Sequence, residues 1–452
     1  MIAIHARTAL TSLGWRDDVR VVVSARGTIA AVEAGAAAQP DDSRADILLP
    51  AMPNVHSHAF QRGMAGLAET RGPGADTFWT WREVMYRFAL TMSPDDVEAV
   101  AAQLYVEMLE SGFCRIGEFH YLHHDRDGGA YANIAEMCER IASAAETTGM
   151  ALTLLPVFYA HSTFGGAAPH EGQRRFINNS ERFGRIMEGA RNIAGRLPGT
   201  TVGVAPHSLR AVTPEELADV VPLANGGPVH IHAAEQVKEV EDCLAWSGRR
   251  PVEWLLDHAK LDRRWCLIHA THMTDAEATA LARSGAVAGL CPVTEANLGD
   301  GIFPGRQFIE AGGAFGIGSD SNVLIGVADE LRQLEYAQRL GMRQRNVIAP
   351  PGGSTGRDLF DRARHGGSQS LGVAAPEIAS GASADLLSLD SDHPTLAGKT
   401  GDAILDAWIF AGGANVDSVW VGGHRVVSEG RHQARETIAE RFKAAMTRLS
   451  AT

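Results

Sequence analysis

At 452 residues the chain is longer than one compact core usually organises, so a large barrel with additions or a two-domain protein is expected. Apolar residues at 45% and charged residues at 21% supply a sizeable core and argue against disorder, while 54 acidic against 41 basic side chains, a net charge of -13, disfavour nucleic-acid and anionic-membrane partners. Five scattered cysteines (Cys114, Cys138, Cys243, Cys266 and Cys291) without a CxxC pair argue against a disulfide framework or a zinc knuckle and fit a reducing cytoplasm.

The opening MIAIHARTALTSLGW lacks the basic-then-apolar pattern of an export signal, and no stretch approaches about 18 uninterrupted apolar residues. The expectation is a protein neither exported nor membrane-spanning. Up to about residue 50, short apolar runs such as Arg20 to Ser24 and Thr28 to Val32 alternate with turn signals such as Arg26-Gly27, and read as small antiparallel strands. From there to residue 321, eight apolar runs are separated by longer stretches of helical period. They are LLPAMPNVHSH (48–58), RIGEFHY (115–121), ALTLLPVFY (151–159), TVGVAPHS (201–208), PVHIHAAE (228–235), WCLIHATH (265–272), AVAGLCPVTE (286–295) and FGIGSDS (315–321). Eight such alternations predict an α/β fold, a (β/α)8 TIM-like barrel. The segments His161 to Gln173 and Met342 to Gly356 read as surface loops. Near the end, ADLLSLD (384–390) and VDSVWVGGHRVVSEGRH (416–432), with a hairpin turn at Gly422-Gly423, return to the texture of the first strands. Residues 1–50 and 380–452 are therefore expected to form one small β-sandwich domain, and 51–379 the barrel.

Nearly every barrel run ends in a residue of catalytic type: His56 and His58, His120 and Tyr121, His207, His232 and Glu235, His269, and Asp320. Active sites of such barrels lie at the C-terminal ends of the strands, so these side chains should converge on one mouth. His56 and His58, two apart in an extended segment, share a face and can grip one ion. HxH alone is weak evidence in a chain with 18 histidines, and His230 with His232 could equally be core histidines in hydrogen bonds. Glu235 shifts the weighing by placing a carboxylate three residues beyond His232. Imidazoles plus a carboxylate suit Zn²⁺, with Fe²⁺ and Mn²⁺ left open, and a metal-activated water makes hydrolysis the natural reaction class.

HxH on the first run, His232 and His269 on the fifth and sixth, and Asp320 on the eighth resemble the amidohydrolase superfamily signature over about 48 to 325. The fourth run has no lysine and HAAE fits an HxxE pattern, so the likeness is to the single-metal deaminases, with His56, His58, His232 and Asp320 as ligands. HSHAFQRGMAGLAE (56–69), FWTWREVMY (78–86), EFHYLHHD (118–125), HSLRAVTP (207–214), HIHAAEQVKEV (230–240), WSGRRPVEWL (246–255), TEANLGDGIFP (294–304) and GIGSDS (316–321) are further similar to the formimidoylglutamate deiminase family. That resemblance implies hydrolysis of N-formimino-L-glutamate to N-formyl-L-glutamate and ammonia in histidine degradation, by a cytoplasmic homodimer carrying one Zn²⁺ per chain. It implies Glu235, His269 and Asp320 as catalytic residues and Gln61, Arg82, Tyr121, His207 and Arg210 as substrate-binding residues. The chain carries Asn322 where many relatives are expected to have histidine, which bears on specificity if that position touches substrate. Trp79 and Trp81 read as packing residues near the mouth, His123 and His124 as loop or supporting groups, Cys266 and Cys291 as buried thiols, and EVED (239–242) as a solvated helix face. The nearest alternative is a deaminase of guanine, cytosine or a modified adenosine, whose uncharged rings do not call for Arg82 and Arg210 together. A metal-free relative with the same barrel is the alternative of another class.

Overall fold

A computed structural model describes residues 2–74 and 76–450. The chain opens with strands β1 (Ile2–Thr11), β2 (Gly14–Val23), β3 (Ile29–Glu33) and β4 (Ser43–Pro50). The first three form an antiparallel meander, but β4 runs parallel to β1, unlike the antiparallel arrangement expected. The cause is positional: β3 takes the outer edge beyond β2, so the chain must cross back to reach the free edge of β1, and a crossover gives parallel pairing.

After a one-residue break at Ala51 the barrel begins. Its strands are β5 (Met52–Ser57), β6 (Phe113–His120), β7 (Ala151–Phe158), the interrupted fourth strand β8 (Thr201–Val202) and β9 (Ala205–Pro206), then β10 (Val229–Ala233), β11 (Trp265–His269), β12 (Val287–Leu290) and β13 (Ala314–Ile317). All pair in parallel, and bridges Val204 to Val229 and Ser208 to His232 join the fourth strand to the fifth. A last bridge, Ser57 to Asp320, closes the ring. All eight strands fall on the apolar runs read from the sequence. β10 and β11 are buried at every position, as strands covered on both faces must be, which is why their sequences run apolar without alternation.

Strands β14 (Leu386–Leu389), β15 (Val416–Val421), β16 (His424–Ser428) and β17 (Arg431–His432) complete the first sheet, in which β14 pairs with β4. Ile4, Val19 and Val21 from the first half share an apolar core with Leu386 and Trp420 from the second, so the sheet folds over on itself as a sandwich. Two C-terminal helices leave this sheet for the barrel. Ala403–Phe410 packs on the barrel helices Val327–Met342 and Thr355–Ser370, and Arg435–Ser450 lies on Pro94–Glu110 through buried Ile438, Ala445 and Leu449, with Arg448 on Asp96 at 2.6 Å. Each helix has an apolar stripe that only a second helical layer can cover.

The end of the barrel opposite the C-terminal ends of its strands is sealed by helix Thr355–Ser370. The Ser370 carbonyl accepts from His230 Nε2 at 2.7 Å and the Leu371 carbonyl from Thr153 Oγ1 at 3.3 Å. Gly366 and Gly367 let this helix lie directly on β13 and β5, and a Cβ on Gly366 would overlap the Phe315 carbonyl. Gly366→Ala should therefore destabilise by about 1–3 kcal/mol. Gly184→Ala, in helix Ser180–Arg196 with open space around it, should be neutral or stabilising by up to about 1 kcal/mol. Urea denaturation of the two variants checks the contrast, and equal stabilities would contradict it.

Candidate functional site

The strand ends converge as barrel geometry requires. His56 Nε2 lies 3.1 Å from His232 Nε2 and 3.4 Å from Asp320 Oδ1, and His58 Nε2 lies 3.2 Å from the same oxygen. One donor atom from each of His56, His58, His232 and Asp320 falls within 4.8 Å of all the others, and all four residues are buried. A tetrahedral Zn²⁺ with bonds of about 2.0–2.1 Å has donor-to-donor edges of about 3.3–3.4 Å, so these three separations are close to those of a metal cage.

The surrounding hydrogen bonds point the same way. His58 Nδ1 donates to the Phe119 carbonyl at 2.9 Å and His232 Nδ1 to the His207 carbonyl at 3.0 Å. A carbonyl only accepts, so both rings carry their proton on Nδ1 and turn the Nε2 lone pair inward, as metal-ligating imidazoles do. Burial lowers the His56 pKa to about 3 and also lowers those of His58 and His232, keeping the rings neutral. Burial works against the charge of Asp320, yet His56, His58 and His269 hold its carboxyl well below the usual range. The donor set thus fits a divalent cation: neutral nitrogens and one carboxylate, preformed and desolvated.

Three strand ends around this centre adopt left-handed backbone at residues other than glycine: Ala234 (φ 53°), His269 and Ala270 (φ 68° and 48°), and Asp320 and Asn322 (φ 43° and 59°). Each costs on the order of 1 kcal/mol or more and persists only where the surroundings enforce it, a pattern concentrated at functional sites. The turn at Ala234 aims Glu235 into the pocket, with Oε1 3.7 Å from His269 Nε2 and Oε2 3.8 Å from Arg210 Nη2. Burial pushes the Glu235 carboxyl up to about 7, the range in which a group can both give and take a proton near neutrality. Burial disfavours a charged His269, but among the protein's own groups Glu235, Glu295 and Asp320 outweigh it and raise the ring to about 10; a divalent ion held by Asp320 would oppose that charge and favour the neutral ring, which can accept a proton.

Gln61, Arg82, Tyr121, His207 and Arg210 all line the same pocket, together with Phe78, Trp81, Met85, Tyr86, Tyr159, Phe176 and Leu298. Gln61 Nε2 donates to the Tyr121 hydroxyl at 2.8 Å. Helix Phe78–Ala89 forms one wall and carries Arg82, whose guanidinium lies 4.6 Å from the centre of the Trp79 ring, while Arg210 approaches that ring to 5.9 Å from its own side. Trp79 is therefore a spacer between two cations as well as a packing residue. Nε of Arg82 and of Arg210 are both buried and unpaired among the described residues. Burial opposes the charge of Arg210, and Glu239 and Glu235 keep it cationic.

Other residues take different parts from those expected. Asn322 does not line the pocket. It is fully buried, and its Nδ2 donates to the His58 and Asp320 carbonyls at 3.1 and 2.9 Å while its Oδ1 accepts from Ser319 Oγ at 2.6 Å, tying the first strand to the last. The EVED segment is not wholly solvated: Glu239 is fully buried and accepts the Ala234 and Glu235 N–H groups at 3.2 and 3.1 Å, holding the turn that presents Glu235. Its position in the first turn of helix Val237–Ser247, a few residues past HAAE, is the capping signal that could have revealed it. Glu118, equally unread, accepts the Ala59 N–H at 2.7 Å and sets the turn after His58. As expected, by contrast, His123 and His124 are supporting groups, bonded to the Val157 carbonyl and to Asn178 and the Ile177 carbonyl, His230 is a buried histidine bonded to the Ser370 carbonyl, and Cys266 and Cys291 are buried thiols.

Residues 47–426 match the Amidohydrolase family, and residues 1–46 match the model described as formimidoylglutamate deiminase HutF, N-terminal domain. The chain is 51% identical over 445 residues to the formimidoylglutamate deiminase of Pseudomonas aeruginosa, covering 98% of each. An amidohydrolase crystal structure from Brucella melitensis superposes with a TM-score of 0.97 at 60% identity, covering all of both chains. A zinc-bound adenosine deaminase structure from Xanthomonas campestris shares the fold, with a TM-score of 0.82 at 21% identity and coverage of 100% and 99%. With the family model spanning most of the chain and the donor cage at its strand ends, the chain belongs to the amidohydrolase family.

Proposed function

We propose that the chain hydrolyses N-formimino-L-glutamate to N-formyl-L-glutamate and ammonia. The observation that carries the reading is the pair of arginines, Arg82 and Arg210, brought to one pocket beside Trp79 with unpaired nitrogens. A planar guanidinium fork holds a carboxylate in a bidentate pair, and two of them suit the two carboxylates of a glutamate moiety. A neutral nucleobase would offer neither guanidinium a carboxylate. The 51% identity to a formimidoylglutamate deiminase points to the same substrate.

In this reading His56, His58, His232 and Asp320 hold one divalent ion, with Zn²⁺ the first choice and Fe²⁺ or Mn²⁺ the alternatives. The ion supplies Lewis-acid activation of the hydrolytic water. Asp320 and His269 take the proton of that water as it adds to the formimino carbon. Glu235 faces the amidinium, pairing as a carboxylate with its nitrogens while it is cationic; as the tetrahedral intermediate collapses it takes the proton of the new hydroxyl and passes it to the departing amine, so that ammonia leaves and the formyl oxygen remains. Gln61, Tyr121 and His207 complete the polar wall on the glutamate side. Glu239, through the Ala234 and Glu235 N–H groups, keeps Glu235 aimed at the reacting carbon.

We further read the protein as a cytoplasmic homodimer acting in histidine degradation. No helix among the described residues is long and apolar enough to cross a membrane. Light scattering on the eluted protein should report twice the 48.2 kDa chain mass, and a single-chain mass would contradict the dimer. The activity is tested by ammonia release from N-formimino-L-glutamate beside guanine, cytosine and adenosine. Turnover of the first alone is expected, and Arg210→Ala should lower its kcat/KM at least about thirtyfold, the cost of about 2 kcal/mol for a lost charged contact. Release from a nucleobase only, or an Arg210→Ala variant equal to wild type, would contradict the assignment.

A further inference from the structure

We infer that Glu295 is a positioning residue for deimination, fixing the orientation and tautomer of His269; this rests on the catalytic reading of His269 above. Glu295 stands behind the pocket on the short helix Pro292–Leu298. Its Oε1 accepts the Cys291 N–H at 2.9 Å and lies 3.2 Å from His269 Nδ1. Because that oxygen already acts as an acceptor, it receives a proton from Nδ1 as well. The bond is the one hydrogen bond of the His269 ring among the described residues, and Nε2 has none.

The consequence is directional. With Nδ1 tied back to Glu295, Nε2 is presented to the reacting atoms, 3.7 Å from Glu235 Oε1 and 3.8 Å from Asp320 Oδ2. Released from Glu295, the ring can turn about its own axis and let Nδ1 pair with one of those carboxylates, which would remove a proton acceptor from the reaction and occupy the residue meant to use it. The left-handed backbone of His269 and Ala270 swings the ring away from the line of β11, so the strand alone does not set its aim. Glu295 cannot simply follow a moving ring. Its neighbour Thr294 donates from Oγ1 to the Ser319 carbonyl at 3.2 Å and pairs with Ser321 Oγ at 2.9 Å, pinning the segment to the strand end that bears Asp320. The carboxylate is thus a fixed post, buried with the ring it holds, and a fixed acceptor on the far nitrogen is how a catalytic imidazole is kept in one tautomer.

Glu295→Gln tests this, since it keeps the shape and removes the charged acceptor. The expected result is a loss of at least about tenfold in kcat, with KM for N-formimino-L-glutamate and bound metal per chain changed by less than about twofold. In a His269→Ala background the same substitution should change kcat by less than about twofold, because the ring it serves is already gone. A role in packing alone would lower metal content and thermal stability and would multiply with His269→Ala. Should Glu295→Gln melt well below wild type, Glu295→Asp is measured in its place, whose shortened carboxylate retreats from the ring. An unchanged kcat in a folded variant, or losses that multiply in the double variant, would overturn the inference. Wild type inactive on N-formimino-L-glutamate would instead sink the substrate reading, and the same ratios would then be taken on whichever substrate is turned over.

Discussion

The barrel closes through residues of the donor cage. Asp320 donates its N–H to the His56 carbonyl at 3.0 Å and accepts the His58 N–H at 3.1 Å, joining the last strand to the first. Both backbone bonds belong to proposed metal donors, so the seam of the fold and the donor cage are one construction. A shift of register along this seam would move three of the four donors at once. Asn322 and Asn54 lock it further: Asn322 spans the two strands, and Asn54 Nδ2 donates to Ser319 Oγ at 2.8 Å. The opposite end of the barrel is stopped by helix Thr355–Ser370, so the strands have little freedom to slide in either direction.

From that seam outward the site is a sequence of electrostatic compensations. Burial discharges the three imidazoles and would discharge Asp320 too, were it not for the hydrogen bond from His56 and the charge of His269. His269 is in turn surrounded by Glu235, Glu295 and Asp320, and Arg210 by Glu235 and Glu239. Each charge is sustained by the next, which makes the centre costly to break at any one member, and Glu235 is the group shared by Arg210 and His269. Strain at the left-handed strand ends is tolerated because the same network holds those turns in place.

What could be read from the amino acids alone is what repeats. Eight apolar runs, each ending in a polar residue, declare the barrel and its working end, and the period of two in His56-Ser57-His58 declares a shared face. Residues that act through the backbone are silent by comparison. Glu239 sits in an acidic run at a helix start, where acidic side chains are ordinary and exposed, and only the fold shows that it reaches back to bury itself under Glu235. Glu295 and His269 lie on different strand-to-helix turns, and no spacing rule pairs them. Asn322 draws notice because relatives are expected to carry histidine there, and its left-handed backbone directs it into the seam. The two C-terminal helices are hidden behind the strand texture of their neighbours, since their partners are helices more than 30 residues away in sequence.

The most direct test of the whole account is metal content measured with activity: the divalent ions bound per chain in wild type and in Asp320→Ala, each before and after dialysis against a chelator. The account predicts one ion per wild-type chain, ammonia release that falls with its removal and returns on adding Zn²⁺, and a variant that neither retains the ion nor recovers. Undiminished turnover by metal-free wild type, or full occupancy in Asp320→Ala, would contradict it.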